Sequence, residues 1–123
     1  MSKLNEPVPD AELQVLKLLW ATESMTSREL AETIYGVADN STVGTVSKLL
    51  QRLESKRCVK RDRSQFAHRF SANVSQTKVA GLHLDSMARK VADGSLAPFI
   101  THLVQAKKLS KQDKEDIRRL LDQ

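Results

Sequence analysis

T-V-G-T-V-S-K-L-L-Q-R-L, residues 42–53, carries the clearest helical pattern in the chain. Its apolar residues recur at i, i+3, i+4 and i+7, the spacing of one face of an α-helix. These residues are Val46, Leu49, Leu50 and Leu53. The opposite face carries Thr45, Lys48 and Arg52. The segment therefore predicts a helix, N-capped by Thr42, with one core face and one polar, cationic face.

Two shorter helices are predicted upstream. Residues 9–21 carry an apolar stripe, and Asp10 is expected as the N-cap or as an acid of the first turn. The tetrapeptide T-S-R-E at 26–29 has the spacing of a capping box, in which the hydroxyl and the carboxylate each accept a hydrogen bond from a backbone N–H. Gly36 is expected to end this second helix with a positive φ.

A β-hairpin is predicted downstream. C-V-K-R-D-R at 58–63 and F-A-H-R-F-S at 66–71 are typical of two short strands, with the turn near 63–65. Three helices followed by a hairpin is the order of a winged helix-turn-helix, in which the third helix enters the major groove of DNA and the hairpin lies along its backbone.

The charge of the chain is concentrated in this region. Residues 42–73 contain eight basic and two acidic residues, a net charge of +6, whereas the whole chain has a formal charge of +5. A basic block inside an otherwise near-neutral chain is expected of a surface that contacts phosphates. The alternative is a charged face that is simply solvated.

Three more helices are predicted after residue 73, beginning near Ser75, near Leu96 with Pro98 in the first turn, and at Ser110. Their apolar stripes exceed what a small hairpin domain could cover, so residues 74–123 are expected to form a helical dimerisation domain beside a DNA-binding domain at 1–73. The expected dimer contacts are Leu84, Met87, Val91, Leu96, Phe99, Ile100, Leu103, Ile117, Leu120 and Leu121.

Composition argues against several other classes of protein. No apolar run approaches the ~20 residues that cross a bilayer, and the first residues lack the pattern of a signal peptide, so a cytoplasmic protein without membrane contact is expected. The single Cys58 cannot form an internal disulfide, and no metal-binding motif is present. Without a catalytic motif or a glycine-rich phosphate loop, we expect no enzyme, no cofactor and no catalytic residue.

Several motifs together resemble those of the penicillinase-repressor (BlaI/MecI-type) family. They are P-D-A-E-L-Q-V-L-K-L-L-W at 9–20, M-T-S-R-E-L at 25–30, T-V-x-x-L-L-x-R-L at 45–53, V-S at 74–75 and G-S-L-A-P-F-I at 94–100. The resemblance covers nearly the whole chain. It implies a homodimer that binds a palindromic operator through its winged helices, holds together through its C-terminal helices and represses a resistance or stress gene.

The resemblance also assigns residues. The family's groove-facing positions correspond to Gly44, Thr45, Ser47 and Lys48, and the full set of expected DNA contacts is Thr42, Gly44, Thr45, Ser47, Lys48, Arg52, Arg61, Arg63, Gln65 and Arg28. We expect Lys48 to read bases, whereas Arg52 and the hairpin residues contact phosphates. Arg28 is expected either to face the backbone or to be an ordinary surface residue.

This chain departs from the family in three places. Gly44 stands where well-studied members have a lysine, so the operator sequence does not carry over. His102-Leu103 replaces the Asn-Phe pair that a sensor protease cleaves in some members, which removes the main reason to expect that partner. The C-terminus L-L-D-Q also lacks the cysteine cluster of copper-responsive relatives.

Two alternatives stay open at this stage, and in one of them the protein binds DNA while a small effector shifts the geometry of the dimer. A winged helix with a basic surface can serve as a protein–protein interaction module that meets an acidic partner. Salt-dependent binding that prefers duplex DNA separates the two hypotheses.

Overall fold

The computed structural model describes residues 4–123, which contain six helices and one small sheet. The elements are α1 (Asp10–Ala21), β1 (Met25–Thr26), α2 (Ser27–Tyr35), α3 (Asn40–Ser55), β2 (Val59–Asp62), β3 (Arg69–Ala72), α4 (Gln76–Ala92), α5 (Ala97–Gln105) and α6 (Lys111–Leu121). The predicted fold class, mainly α with a β-hairpin, is confirmed. The chain divides into two compact units, one up to Leu84 and the other Asp85–Gln123.

The core of the first unit is built on the leucine face of α3. Val46, Leu50 and Leu53 are completely buried, and Leu49 is nearly so. Burying one such side chain contributes about 1.5–3 kcal/mol relative to leaving it in water. Around them pack Val15, Leu16 and Leu19 of α1, Leu30 and Ala31 of α2, and Val59 and Phe70 of the sheet. The predicted core face of α3 is therefore confirmed.

The sheet has three antiparallel strands in the order β1-β3-β2. Val59 pairs with Ala72 and Asp62 with Arg69 in the hairpin, while Met25 pairs with Phe70 on the other side of β3. The pattern did not predict β1, because two residues are too short to show an alternation of polar and apolar side chains.

The start of α3 corrects the sequence prediction. The N-cap is Asp39 rather than Thr42, and its backbone is extended. The Asp39 carboxylate accepts a hydrogen bond from the Thr42 N–H at 2.9 Å, and the Thr42 hydroxyl oxygen accepts one from the Asp39 N–H at 3.0 Å. Thr42 is thus the third residue of the helix and the second partner of its capping box, and the helix begins about one turn earlier than predicted.

The second strand of the hairpin also starts later than predicted, at Arg69 rather than Phe66. Pairing ends at Asp62–Arg69, and residues 63–68 form the connecting loop, which we call the wing loop. The Asp62 carboxylate accepts a hydrogen bond from the Ser64 N–H at 2.9 Å, which turns the chain away from the strand direction. The hydrogen bonds from the Ser64 side chain and backbone hold the pKa of Asp62 below its usual value.

Other signals at helix ends are confirmed. Thr26 and Glu29 form the predicted capping box of α2, and Gly36 ends that helix with φ +78°. Asp10 lies in the first turn of α1, and the Ser75 hydroxyl accepts a hydrogen bond from the Lys78 N–H at 3.0 Å.

Long-range polar contacts join the outer elements of the first unit to its core. The buried Glu12 of α1 pairs with Lys56 at the end of α3, at 2.5 Å between Oε1 and Nζ. The Trp20 indole N–H donates to the Val74 carbonyl at 2.8 Å, and the Val8 N–H donates to Nε2 of His83 at 3.0 Å. These contacts hold the N-terminal segment and the first half of α4 against the winged-helix core.

The second unit has little interior of its own. Its helix ends agree with the sequence: Asp93 and Gly94 have positive φ at the end of α4, Pro98 lies in the first turn of α5, and Ser110 opens α6 with a capping box. Among residues 85–123, all of which the structure describes, only Ala88 is buried. The exposed apolar residues of this unit are Met87, Val91, Leu96, Ile100, Leu103, Val104, Ile117, Leu120 and Leu121.

Replacing Asp39 with Asn tests the cap of α3. Hydrogen bonds from the Thr42 backbone and hydroxyl hold the pKa of Asp39 below its ordinary value of 3.8. A lowered pKa adds stability that is fully present above the ordinary value and is lost as pH falls through the lowered one. We expect urea unfolding to show a constant excess stability of the wild type over Asp39→Asn above about pH 5, and a shrinking excess below about pH 4. An excess that does not change with pH would contradict the role of this carboxylate.

Candidate nucleic-acid interface

The outer face of α3 presents a polar, cationic stripe opposite the buried leucines. Gly44, Thr45, Lys48 and Arg52 are exposed, and Ser47 is half-buried. Across residues 4–123, no ion pair includes Lys48 or Arg52, so both cations are free to meet an external anion. A Cβ at Gly44 would meet no atom within 4 Å, which leaves this part of the stripe flat and open.

A cleft of about 430 Å³ lies beside this stripe, between the start of α2, the helix α3 and the hairpin. We call it the wing cleft. Its lining residues are Thr26, Ser27, Arg28, Ser47, Gln51, Arg61, Phe66, Ala67, His68 and Phe70. This lining, all of it within the described chain, contains two arginines and no carboxylate. The electrostatic character of the cleft therefore favours an anion.

The capping box of α2 and an arginine of β3 position one wall of the cleft. The Glu29 carboxylate accepts a hydrogen bond from the Thr26 N–H at 2.9 Å and pairs with the Arg69 guanidinium at 3.2 Å. Arg69 also donates to the Ser24 hydroxyl and carbonyl, at 2.8 and 2.9 Å. The Thr26 N–H, and then the Arg69 charge, hold the pKa of Glu29 below its usual value. The hairpin is thus tied to the start of α2.

Besides Thr45, whose hydroxyl donates to the Ser41 carbonyl one turn earlier at 3.0 Å, three of the predicted contact residues are engaged within the protein. Arg61 pairs with Glu54 at 3.0 Å and lies over the Phe70 ring, 4.9 Å from its centroid. The Arg28 guanidinium donates to the Ala38 carbonyl at 3.1 Å, which links α2 to the turn before α3. The Thr42 hydroxyl accepts a hydrogen bond in the cap of α3, and its O–H donates to the Val37 carbonyl at 2.8 Å.

The remaining predicted residues fall into two groups. Gly44, Thr45, Ser47, Lys48 and Arg52 share the outer face of α3. Arg63 and Gln65 lie exposed on the wing loop, and only Ser47, Arg28 and Arg61 of the predicted set line the cleft.

Sequence reasoning missed Gln51, His68 and Phe66 as residues of this surface. Gln51 lies one turn after Ser47 on the same side of α3, so helical spacing contained the signal for it. His68 and Phe66 were assigned to a strand, whereas His68 precedes β3 and Phe66 lies within the wing loop.

The described residues offer little for other kinds of site. Between Leu4 and Gln123, no group of three or more His, Cys, Asp or Glu side chains could hold a metal ion. In the same range, no helix combines the length and the apolar character needed to cross a membrane.

Comparison with known proteins places this sequence among bacterial regulators. A sequence model of the family described as "Penicillinase repressor" matches residues 8–123. A "Transcriptional regulator BlaI" of Mycobacterium tuberculosis, strain CDC 1551 / Oshkosh, is 32% identical over 98% of this chain and 86% of its own length, and the protein of that name in strain ATCC 25618 / H37Rv matches equally. A "Penicillinase repressor" of Staphylococcus aureus is 21% identical over 91% of this chain and 88% of its own length.

Alanine variants should separate the structural arginine from the free one. Arg61→Ala removes an ion pair and a cation–π contact, so the free energy of unfolding should fall by about 1 kcal/mol. Arg63→Ala changes an exposed side chain of the wing loop and should leave the free energy of unfolding within about 0.5 kcal/mol of that of the wild type. Urea unfolding of both variants measures the difference. Equal losses would mean that the contacts of Arg61 to Glu54 and Phe70 add nothing to stability.

Proposed function

The chain belongs to the penicillinase repressor family, and from this premise we propose that it is a transcriptional repressor that binds operator DNA as a homodimer and catalyses no reaction. The observation that carries the proposal is the outer face of α3. It holds two unpaired cations and two hydroxyl side chains on a helix whose other face is completely buried. The wing cleft, free of carboxylates, lies next to it.

In the proposed complex α3 lies in the major groove. Lys48 is exposed in the middle of the helix and can donate to the O6 and N7 acceptors of guanine. Ser47, next to Lys48 in sequence, offers a hydroxyl that suits several bases, whereas the Thr45 hydroxyl donates to the Ser41 carbonyl and offers its oxygen as an acceptor. Arg52, one turn further along, contacts phosphate and fixes the register of the helix on the duplex.

The start of α2 and the wing loop hold the DNA backbone in this proposal. Ser27 and Arg28 open α2, where free backbone N–H groups favour an anion. Arg63 and Gln65 supply exposed donors from the wing loop. These contacts are independent of sequence, so they add affinity and orientation rather than specificity.

The apolar surface of residues 85–123 supports the homodimer. Val91, Ile100 and Leu120 are each more than half exposed, and no described side chain of their own unit buries them. A second copy of the chain, related to the first by a two-fold axis, would bury these apolar faces. Two α3 helices related by such an axis read a pseudo-palindrome with half-sites about 34–36 Å apart, or a multiple of that distance.

The proposed target is a promoter, where the bound dimer blocks RNA polymerase. The relative named penicillinase repressor supports a resistance gene, or another stress gene, as the regulated one. Proteolytic induction is not part of this proposal. His102-Leu103, which lies in α5, differs from the Asn-Phe pair that the protease cleaves in some members of the family.

Gel-shift titration against the region upstream of the protein's own gene tests the function. With phosphate contacts from Arg28, Arg52 and Arg63 in each protomer, six in the proposed dimer, affinity should fall about a thousandfold as salt rises from about 50 to 200 mM. Lys48→Ala should weaken operator binding far more than binding to unrelated duplex, whereas Arg63→Ala should weaken both alike. Lys17→Ala, at an exposed position of α1 outside both the wing cleft and the outer face of α3, serves as the matched control and should bind like the wild type.

Two results would contradict this function. An operator affinity that does not change with salt concentration would contradict the proposed phosphate contacts. Failure to bind any duplex beyond the competitor would instead favour a winged-helix module that meets an acidic protein.

Ile100→Asp and Leu120→Asp test the dimer. Each places a charge on an exposed apolar face of α5 or α6. Because the proposed interface would bury this charge without a partner, the dimer should dissociate, and sedimentation should show a monomer. Operator affinity should then fall more than about tenfold, because the two half-sites no longer bind together. Thr101→Asp introduces the same charge at a neighbouring exposed polar position and should remain dimeric. A wild-type protein that sediments as a monomer would contradict the proposal.

A further inference from the structure

Phe66 stands apart from the other aromatic side chains of the described chain. Its relative exposure is 106%, whereas Phe70 is buried in the core and Trp20 and Phe99 are half-buried. A phenyl ring entirely in water contributes no apolar burial to the fold. The ring is therefore available to a binding partner.

The position of the ring indicates which partner it meets. Phe66 lines the wing cleft together with Ser47 and Gln51 of α3 and Arg28 of α2. One wall of the cleft thus offers hydrogen-bond donors and a cation, and the wing-loop wall offers an apolar ring. A sugar–phosphate backbone has both matching properties, because its anionic phosphates alternate with apolar faces of deoxyribose.

We propose that Phe66 contacts DNA by packing its ring against a deoxyribose of the strand whose phosphates enter the wing cleft. This inference rests on the proposed operator binding. Charge complementarity supports the choice of a nucleic acid, since residues 42–73 carry a net charge of +6 and the cleft lining has no carboxylate. A second copy of the same basic surface would be repelled.

The contact of Phe66 with a sugar and the contacts of the neighbouring cations with phosphates should depend differently on salt. Packing of a ring on a sugar releases no counterions, so it strengthens binding without steepening the dependence on salt. It also reads no base edge, so it acts on operator and unrelated duplex alike. Phe66 is therefore a positioning contact that sets how closely the wing loop approaches the strand.

Variants at position 66 and at Arg63 separate these two kinds of contact. Phe66→Ala should weaken binding to both operator and unrelated duplex about tenfold, with an unchanged slope of log affinity against log salt. Arg63→Ala should reduce that slope by about two, one for each protomer of the proposed dimer. Phe66→Leu keeps an apolar side chain and should restore most of the affinity. Both positions are exposed, so the thermal unfolding of all three variants should match that of the wild type.

A direct signal comes from Phe66→Trp, read by fluorescence. Addition of duplex should shift the emission of the new indole to shorter wavelength as it leaves water, while the wild type, which contains only the half-buried Trp20, serves as the control. Inorganic polyphosphate carries the charge without the sugar and should give no shift.

The outcomes distinguish this inference from the function on which it rests. Wild-type binding to the operator reports the proposed function by itself. If the wild type binds but Phe66→Ala binds within about twofold of it, or if the indole emission does not respond to duplex, the contact of Phe66 with deoxyribose is overturned.

Discussion

The burial of one face of α3 is the constraint on which the rest of the molecule depends. Val46, Leu50 and Leu53 are completely buried between α1, α2 and the sheet. Because a helix is rigid, burial of these three side chains decides where Lys48 and Arg52 point. The ion pair of Glu12 with Lys56 holds the far end of the helix, and the cap at Asp39 holds its start. The exposed stripe is thus a consequence of the core.

Sequence reasoning succeeded where the physical cause is local. The leucine spacing of α3, the capping box at Thr26 and the positive φ of Gly36 depend on residues within about one or two helical turns. The predicted N-cap of α3 was wrong because two residues close in sequence can each cap the helix. Asp39 and Thr42 are both good N-cap residues, and the reciprocal hydrogen bonds between them decide which one caps. The extent of β3 follows from its pairing with β2, which a single strand cannot reveal.

The site residues divide in the same way, into those that a local pattern predicts and those whose contacts depend on tertiary structure. The stripe on α3 could be predicted, because helical periodicity alone puts Thr45, Lys48 and Arg52 on one side. The contacts of Arg61 with Glu54 and Phe70 could not be predicted, since they require the hairpin to fold back over the end of α3. In residues 85–123 the helix caps are local and could be predicted, whereas the covering of their apolar faces depends on the proposed second copy of the chain.

Gly44 has a consequence for how such a protein diversifies. It lies in the first turns of α3, exposed, where an added Cβ would meet nothing within 4 Å, and glycine there costs the helix about 1 kcal/mol relative to alanine. Almost any other residue could occupy this position without disturbing the leucine core. In the proposed complex this position faces DNA, so a lineage could acquire a new set of target genes through one codon while its architecture stays intact.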